Sequence, residues 1–390
     1  MRRIFITSYP YVYERYFRVF DYFPEKEELF FILPKIWQAK RGKIKVEIPV
    51  RQDIKIAGVR AFFSHSHYPI IKGLFKGWMP EAKNIIRQNA KPDDILYTAI
   101  EPNLLTTYFN SRLAKRLGLK HVFFTWQNVP YKSRLRGLKL KFTEHIIKKT
   151  IQNSTGAICG NHKAAKILRD YTGSDFKILV VPISGVDTEK FRPGIVSDFR
   201  QKNNLENKIV LTFAGVFDNR KGIKTLLEAF AAALEEANNL HLVMIGTGPL
   251  EDFIKDFVNQ NKLGNNITLI PWLPNEQLPG VFASSDIFVH PSEPYGGWEE
   301  QFGYSMAEAS ACGLPVIATK TGSIEEIVLD GITGVLVEPQ RPDQLKGAIM
   351  GLVKDIELRK KMGLAGRKHI EENFSHRVIA RKFYDFFFGL

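Results

Sequence analysis

Two glutamates frame the segment of this chain best suited to chemistry, Glu300-Gln-Phe-Gly-Tyr-Ser-Met-Ala-Glu308, which runs on into Ala-Ser-Ala-Cys-Gly313-Leu-Pro-Val-Ile-Ala-Thr. The order of residue types predicts an acidic loop, a glycine turn, a helix over Tyr304 to Ala311, a glycine stop at Gly313 and a buried strand. At about 100° per residue the helix makes roughly two turns. Glu308 then projects from the helix, while Glu300 stays on the loop before it. Between them, unpaired backbone N–H groups near Gly303 and Tyr304 form the positive end of the helix, a ready site for a phosphate. Carboxylates on either side of an anion pocket suit a ligand with hydroxyls on both sides of a diphosphate. A nucleotide sugar is such a ligand.

A second constellation lies upstream. Ala214-Gly215-Val-Phe-Asp-Asn-Arg220-Lys221-Gly222 follows an apolar strand and opens a helix through Leu226 and Phe230. Glycines allow a tight turn beside a ligand, and Lys221 and Arg220 can neutralise a diphosphate. Further strand ends carry Gly246-Thr-Gly248 and Pro271-Trp272-Leu273-Pro274. In the first half, Ile100-Glu101-Pro102 and Thr125-Trp126-Gln127-Asn128 also end predicted strands, where cleft-lining side chains belong. Glu101, Gln127 and Asn128 are therefore candidate sugar or acceptor contacts. The amides can orient hydroxyls but do not act as acids or bases near neutral pH. His65-Ser-His67 lacks a Cys or acidic ligand at suitable spacing and is read as surface or packing histidines. No metal site is implied.

The Glu300–Glu308 segment, with its downstream strand and the Gly322-Ser-Ile-Glu-Glu326 turn, resembles the paired-glutamate signature of retaining GT-B glycosyltransferases, in particular family 4 (glycosyl transferases group 1). The resemblance covers the second half closely and the first half loosely. It implies a GT-B fold, two doubly wound Rossmann-like domains facing across a cleft. The donor would be a UDP- or GDP-linked sugar, with no separate cofactor or metal. By that resemblance Glu308 would accept the ribose hydroxyls, Glu300 would sit beside the donor sugar and the Phe302-Gly303-Tyr304 backbone would hold a phosphate. Gly215 and Gly246 would let backbone approach the nucleotide, and Trp272-Leu273 would meet its base by main-chain hydrogen bonds. Glu300, Lys221 and Arg220 would carry the transfer step. The pattern departs from the family at Val216, where a basic residue often stands, and at Gln127, near which many members carry a histidine. Glu326 fits a functional position and a helix start equally well.

These loops need strands to hold them. Apolar β-rich runs alternate with amphipathic helical stretches along the whole chain, the pattern of a mostly parallel α/β sheet wrapped by helices. The series restarts after Phe191-Arg-Pro193-Gly194. The expected division is an acceptor-side domain over 1–190, a nucleotide-sugar domain over 191–374, and a terminal helix over 375–390 packing back on the first domain by its phenylalanines. A chain of 390 residues with 44% hydrophobic content is long enough for a core in each. Only Cys159 and Cys312 are present, far apart, which argues against a disulfide framework and fits a reducing cytosol. The N-terminus lacks a signal h-region, and no run of about 18 apolar residues occurs.

The net charge of +14 asks for an anionic partner. Nucleic acid is disfavoured by the absence of any recognisable binding signature. The basic residues gather in the first half, where Lys72–Met79 mixes basic and bulky apolar side chains and Lys132, Arg134 and Arg136 follow. The expectation is a glycan or lipid-linked acceptor met in the cytoplasm, with peripheral contact at an anionic membrane face. Three alternatives stand beside the transferase: a GT-B nucleotide-sugar epimerase, a glycosidase using the two glutamates, which would leave the phosphate loops without a purpose, and a nonenzymatic protein binding anionic lipid or nucleic acid.

Overall fold

The computed structural model describes residues 2–37, 48–63 and 73–390. His65, His67 and Lys72 lie outside the described residues. The chain forms two compact units, Met1–Gly185 with His376–Leu390, and Val186–Ser375. The division falls at 185/186, upstream of the position read from the sequence. The cause is local: Phe191 packs on Phe282, its N–H reaches the Asp187 carbonyl at 2.8 Å, and Arg367 donates to its carbonyl at 2.6 Å. The turn before Pro193 is thereby tied into the second unit.

The first unit is built on a seven-stranded parallel sheet in the order β3-β2-β1-β4-β5-β6-β7. Its strands are β1 (Ile4–Thr7), β2 (Leu29–Pro34), β3 (Lys55–Val59), β4 (Ile95–Thr98), β5 (Lys120–Thr125), β6 (Gly156–Cys159) and β7 (Lys177–Val180). Side chains alternate faces with period two. Ile4 and Ile6 therefore enter one core with Leu29, Phe31, Ile95 and Tyr97, while Phe5 enters the other with Phe30, Ile32 and Leu96. The final helix, His376–Phe388, closes the first of these cores. Phe383 and Phe387 are fully buried, and Phe383 stacks on Phe20 at 6.0 Å.

The second unit has a six-stranded parallel sheet in the order β10-β9-β8-β11-β12-β13. The strands are β8 (Ile209–Ala214), β9 (Leu240–Ile245), β10 (Ile267–Ile270), β11 (Ile287–His290), β12 (Val316–Thr319) and β13 (Gly334–Val337). Strands added after β8 run outward on one side and those from β11 outward on the other. The order reverses between β8 and β11, and in open parallel sheets a ligand crevice forms outside the carboxyl ends at such a reversal. Among the described residues, no helix is long and apolar enough to cross a membrane.

Candidate active site

The loops that leave β8 and β11 meet at that reversal. The β8 loop passes through Gly215 and Val216 to a 3-10 turn, Asn219–Lys221, capped by the Asp218 carboxylate on the Arg220 N–H at 3.1 Å. Gly222 then starts the helix Ile223–Leu234 with φ +61°. A Cβ at Gly222 would lie 1.8 Å from the Pro291 carbonyl oxygen, so only glycine lets the two loops touch. The contact is locked by Glu293, whose N–H donates to the Arg220 carbonyl at 2.8 Å and whose carboxylate accepts the Thr225 hydroxyl at 2.5 Å.

This closure brings Lys221 onto Glu300. The ammonium donates to Glu300 Oε2, and both side chains are largely buried. The same oxygen accepts His290 Nε2–H at 2.9 Å and the Ser292 hydroxyl at 3.0 Å. Burial pushes the Glu300 carboxyl up, but the Lys221 charge and the His290 hydrogen bond outweigh it and hold it well below the usual range. His290 is pushed down by its own burial and by Lys221, against the pull of Glu300, so the ring is neutral. Glu300 is thus a fixed anion. Arg220 is used differently: its guanidinium grips Asp218 Oδ2 through Nε at 3.1 Å and Nη2 at 2.6 Å, and it lies 4.5 Å above the Trp298 ring.

Glu300 is followed by Gly303, φ +79°, and the helix Tyr304–Ala311 has the bounds read from the sequence. No side chain caps its start, and the N-terminus of a helix is where a dipole favours an anion. The Phe302 ring is turned inward against Phe374 and Tyr304, so that this residue offers the site its backbone. At the far end Glu308 Oε1 accepts Asn275 Nδ2 at 3.1 Å, and Asn275 Oδ1 accepts Lys190 Nζ at 2.6 Å. The loop after β10 holds Trp272, exposed, and Leu273, half-buried, and reaches Glu308 through Asn275. Gly215 and Gly246 face each other, since a Cβ on Gly246 would lie 1.9 Å from the Gly215 carbonyl oxygen.

The first-unit candidates are bound to their own scaffold. Glu101 accepts the Thr125 hydroxyl at 2.6 Å and the Trp126 N–H at 2.8 Å, bracing the end of β5. Gln127 donates to the Val129 carbonyl and accepts Arg134 at 2.8 Å, and Asn128 is buried. The stretch from Gly73 to Met79 differs from the interfacial segment read from the sequence. Phe75 and Trp78 pack together and against Phe63 and Phe62, Met79 is buried, and Lys76 lies 4.6 Å above the Tyr9 ring. The exposed large apolar side chains of the first unit include Leu138 and Phe142 on the helix Gly137–Gln152, besides Ile36, Val50 and Phe109.

Sequence reasoning sets the loop Pro291–Glu300, which holds Ser292 and Trp298, beside the transferred sugar without giving either side chain a role, and it missed His290 and Asn275. The available signal was the polar pair His290 and Ser292 at the carboxyl end of a buried strand, just before the acidic loop.

Two parallel α/β units with reversed strand order, a glycine-tight basic loop and an acid-flanked helix start define a GT-B protein. Residues 196–369 match the glycosyl transferases group 1 family. It is 32% identical over 212 residues to a D-inositol 3-phosphate glycosyltransferase of Segniliparus rotundus, across 53% of this chain and 46% of that protein. It is 29% identical over 209 residues to a GDP-mannose-dependent alpha-(1-6)-phosphatidylinositol monomannoside mannosyltransferase of Mycobacterium tuberculosis, across 53% and 54%. The matched region thus spans about half the length of these relatives. The fold is similar over the full length of both chains to Anabaena HepE, solved in complex with UDP, at a TM-score of 0.75 and 16% identity.

Proposed function

We propose that the protein is a retaining glycosyltransferase that moves a sugar from a UDP- or GDP-linked donor to a glycan or lipid-linked acceptor. The observation that carries this reading is the Lys221–Glu300 ion pair set beside the uncapped helix start at Gly303. A cation, the positive end of a helix and a held carboxylate suit a diphosphate joined to a sugar. One relative is named for GDP-mannose and a phosphatidylinositol monomannoside, and HepE was solved in complex with UDP.

In the step itself the bond between the anomeric carbon and the diphosphate oxygen breaks and its electron pair leaves with the nucleoside diphosphate. Lys221 and the amides at Gly303 and Tyr304 stabilise that negative charge. The acceptor hydroxyl forms the new bond on the same face of the sugar, and its proton passes to the departing phosphate oxygen. Glu300, fixed as an anion, positions the sugar and stabilises the positive charge on it. Glu308 receives the ribose hydroxyls.

On the acceptor side, the helix Gly137–Gln152 exposes Leu138 and Phe142 among Lys139, Lys141, Lys148 and Lys149, with Lys132, Arg134 and Arg136 just before it. Each cation near an anionic surface contributes on the order of 1 kcal/mol, so this face suits reversible attachment to an anionic membrane. Sedimentation with anionic and neutral vesicles at low and high salt checks it, with salt-sensitive binding to the anionic vesicles expected.

The deciding experiment for the activity is a panel of UDP- and GDP-sugars read first as melting shifts and then as turnover with and without acceptor. A stabilising donor consumed only with acceptor, giving product of unchanged anomeric configuration, supports the transferase. Donor turnover without acceptor would point to an epimerase, and indifference to every nucleotide to a nonenzymatic binder.

A further inference from the structure

Glu300 Oε2 collects Lys221, His290 and Ser292 at one point, and a diphosphate arriving at the helix start competes for the only one of these donors that is charged. Lys221 stands on a loop, whereas His290 and Ser292 sit at the end of β11 in the floor of the site. His290 is 1% exposed, stacks on Phe288 at 6.4 Å between ring centres, and presents Nε2 to both the carboxylate and the Gly303 turn, where a Cβ would lie 3.4 Å away.

The ring's other nitrogen fixes its chemistry. His290 Nδ1 is buried without a hydrogen-bond partner among the described residues. A bare acceptor there costs less than an unpaired N–H donor would, because a protonated ring would bury a charged N–H with nothing to receive it. The tautomer that satisfies Glu300 is therefore the neutral one, protonated at Nε2. In it the Ser292 hydroxyl, 3.1 Å from Nε2, spends its proton on Glu300.

We propose that His290, assisted by Ser292, is a positioning residue that holds the Glu300 carboxylate in place while Lys221 transfers from Glu300 to the diphosphate of the bound donor. The inference rests on the transferase reading and deepens it. Lys221 acts twice, as counter-ion of Glu300 in the empty site and as phosphate ligand in the filled one. Once Lys221 leaves, the neutral donors on Oε2, together with the Gln301 N–H on Oε1 at 3.3 Å, set the orientation of the buried carboxylate. Neutral donors serve this purpose because they hold the carboxylate without cancelling the charge that faces the sugar.

The test compares His290→Phe, which keeps a ring but donates nothing, with His290→Gln, which restores an N–H donor. Melting curves establish that each variant folds. His290→Phe is expected to lower kcat on the order of tenfold to a hundredfold, the effect of a displaced reacting group, with donor KM changed less than about threefold. His290→Gln should recover most of the loss. Parent-like kcat in His290→Phe, or equal loss in both variants, overturns the proposal. A second readout does not depend on transfer: a 15N imidazole spectrum of the parent should show His290 neutral and protonated at Nε2 near pH 7, a signal absent from His290→Phe. If no donor is turned over at all, the transferase reading has failed, and this spectrum still judges the clamp. A ring protonated at Nδ1, or at both nitrogens, overturns it.

Discussion

The two sheets each reverse strand order once, between β1 and β4 and between β8 and β11, yet they furnish those two crevices in opposite ways. After β8 and β11 come glycines and charges that pair with one another, Lys221 with Glu300, before a helix start that no side chain caps. After β1 comes Tyr9, stacked on Trp37 at 4.4 Å under Lys76, and after β4 comes Glu101, whose oxygens are taken by Thr125 and Trp126. Burial drives the Glu101 carboxyl up against those hydrogen bonds, while Glu300, the less accessible of the two, is driven down by a cation. A buried carboxylate thus has two uses. Paired with a mobile cation it makes a site that a ligand can rearrange. Spent on backbone and hydroxyl donors it braces a strand end.

The hardest blow to this contrast is Lys221→Ala. It removes the proposed phosphate ligand and leaves Glu300 a buried anion without the Lys221 cation. Loss of one preorganised donor on a developing negative charge costs about 10²–10³ in rate, so transfer should fall by at least the lower figure. A variant within a few-fold of the parent in kcat/KM would mean that the second crevice is as structural as the first. Next in size is Glu308→Ala. A hydrogen bond to a charged group is worth about 1.5–3 kcal/mol, and titration calorimetry should show nucleotide affinity falling by about that amount, with Asn275 left without its partner. Unchanged affinity would remove Glu308 from the nucleotide site.

Much of the second crevice could be read from the chain because its devices are local. Gly303 and Gly313 bracket the helix Tyr304–Ala311, and Gly215 and Gly222 bracket the basic loop, so each unit of meaning lies within about ten residues. What stayed hidden is long-range. His290 reads as the last residue of a strand until the loop through Gly296 and Gly297 folds Glu300 back onto it. Asn275 acquires a role only when the loop after β10 meets Glu308. The strand β3 is hard to read because Lys55-Ile-Ala-Gly-Val is a short, half-exposed edge with a glycine inside it. The Lys72–Met79 stretch misled because alternating basic and aromatic residues read alike in an interfacial loop and in an aromatic cluster.

A smaller effect separates the two regions by acid. His121, buried in the first unit between the Thr98 hydroxyl at 3.0 Å and the Ser154 hydroxyl at 2.7 Å, is pushed down to about 3 by burial. An unfolded histidine binds a proton below about pH 6.5, whereas this folded one stays neutral. Its share of stability is therefore full above that pH and lost as pH falls toward the folded value, at up to about 1.4 kcal/mol per pH unit. His121→Gln should flatten the acid limb of stability, measured by urea unfolding, and leave nucleotide affinity unchanged. His290 contributes in the same direction in the second unit, so His290→Phe should flatten the acid limb and slow transfer as well.

The smallest expected effect is that of Arg220→Ala, and it bears on how far the second crevice is a rearranging site. Sequence order alone makes Arg220 as good a phosphate ligand as Lys221, and Val216 leaves a vacancy for it to fill. The structure gives the guanidinium a different occupation, since both of its contacting nitrogens lie on Asp218 and its face lies on Trp298. To reach a diphosphate it would have to leave a bidentate partner that moves with it on the same turn, whereas Lys221 leaves a partner on another loop. The pair is also partly exposed, with Arg220 36% accessible, and exposed ion pairs are worth at most about 1 kcal/mol. Arg220→Ala should therefore raise donor KM by no more than about fivefold, through a looser turn under Lys221, and Asp218→Ala should do the same for the same reason. A loss in Arg220→Ala that rivals Lys221→Ala, with Asp218→Ala harmless or faster than the parent, would show instead that Asp218 restrains a second phosphate ligand. Restoring a basic residue at position 216 should then rescue Arg220→Ala.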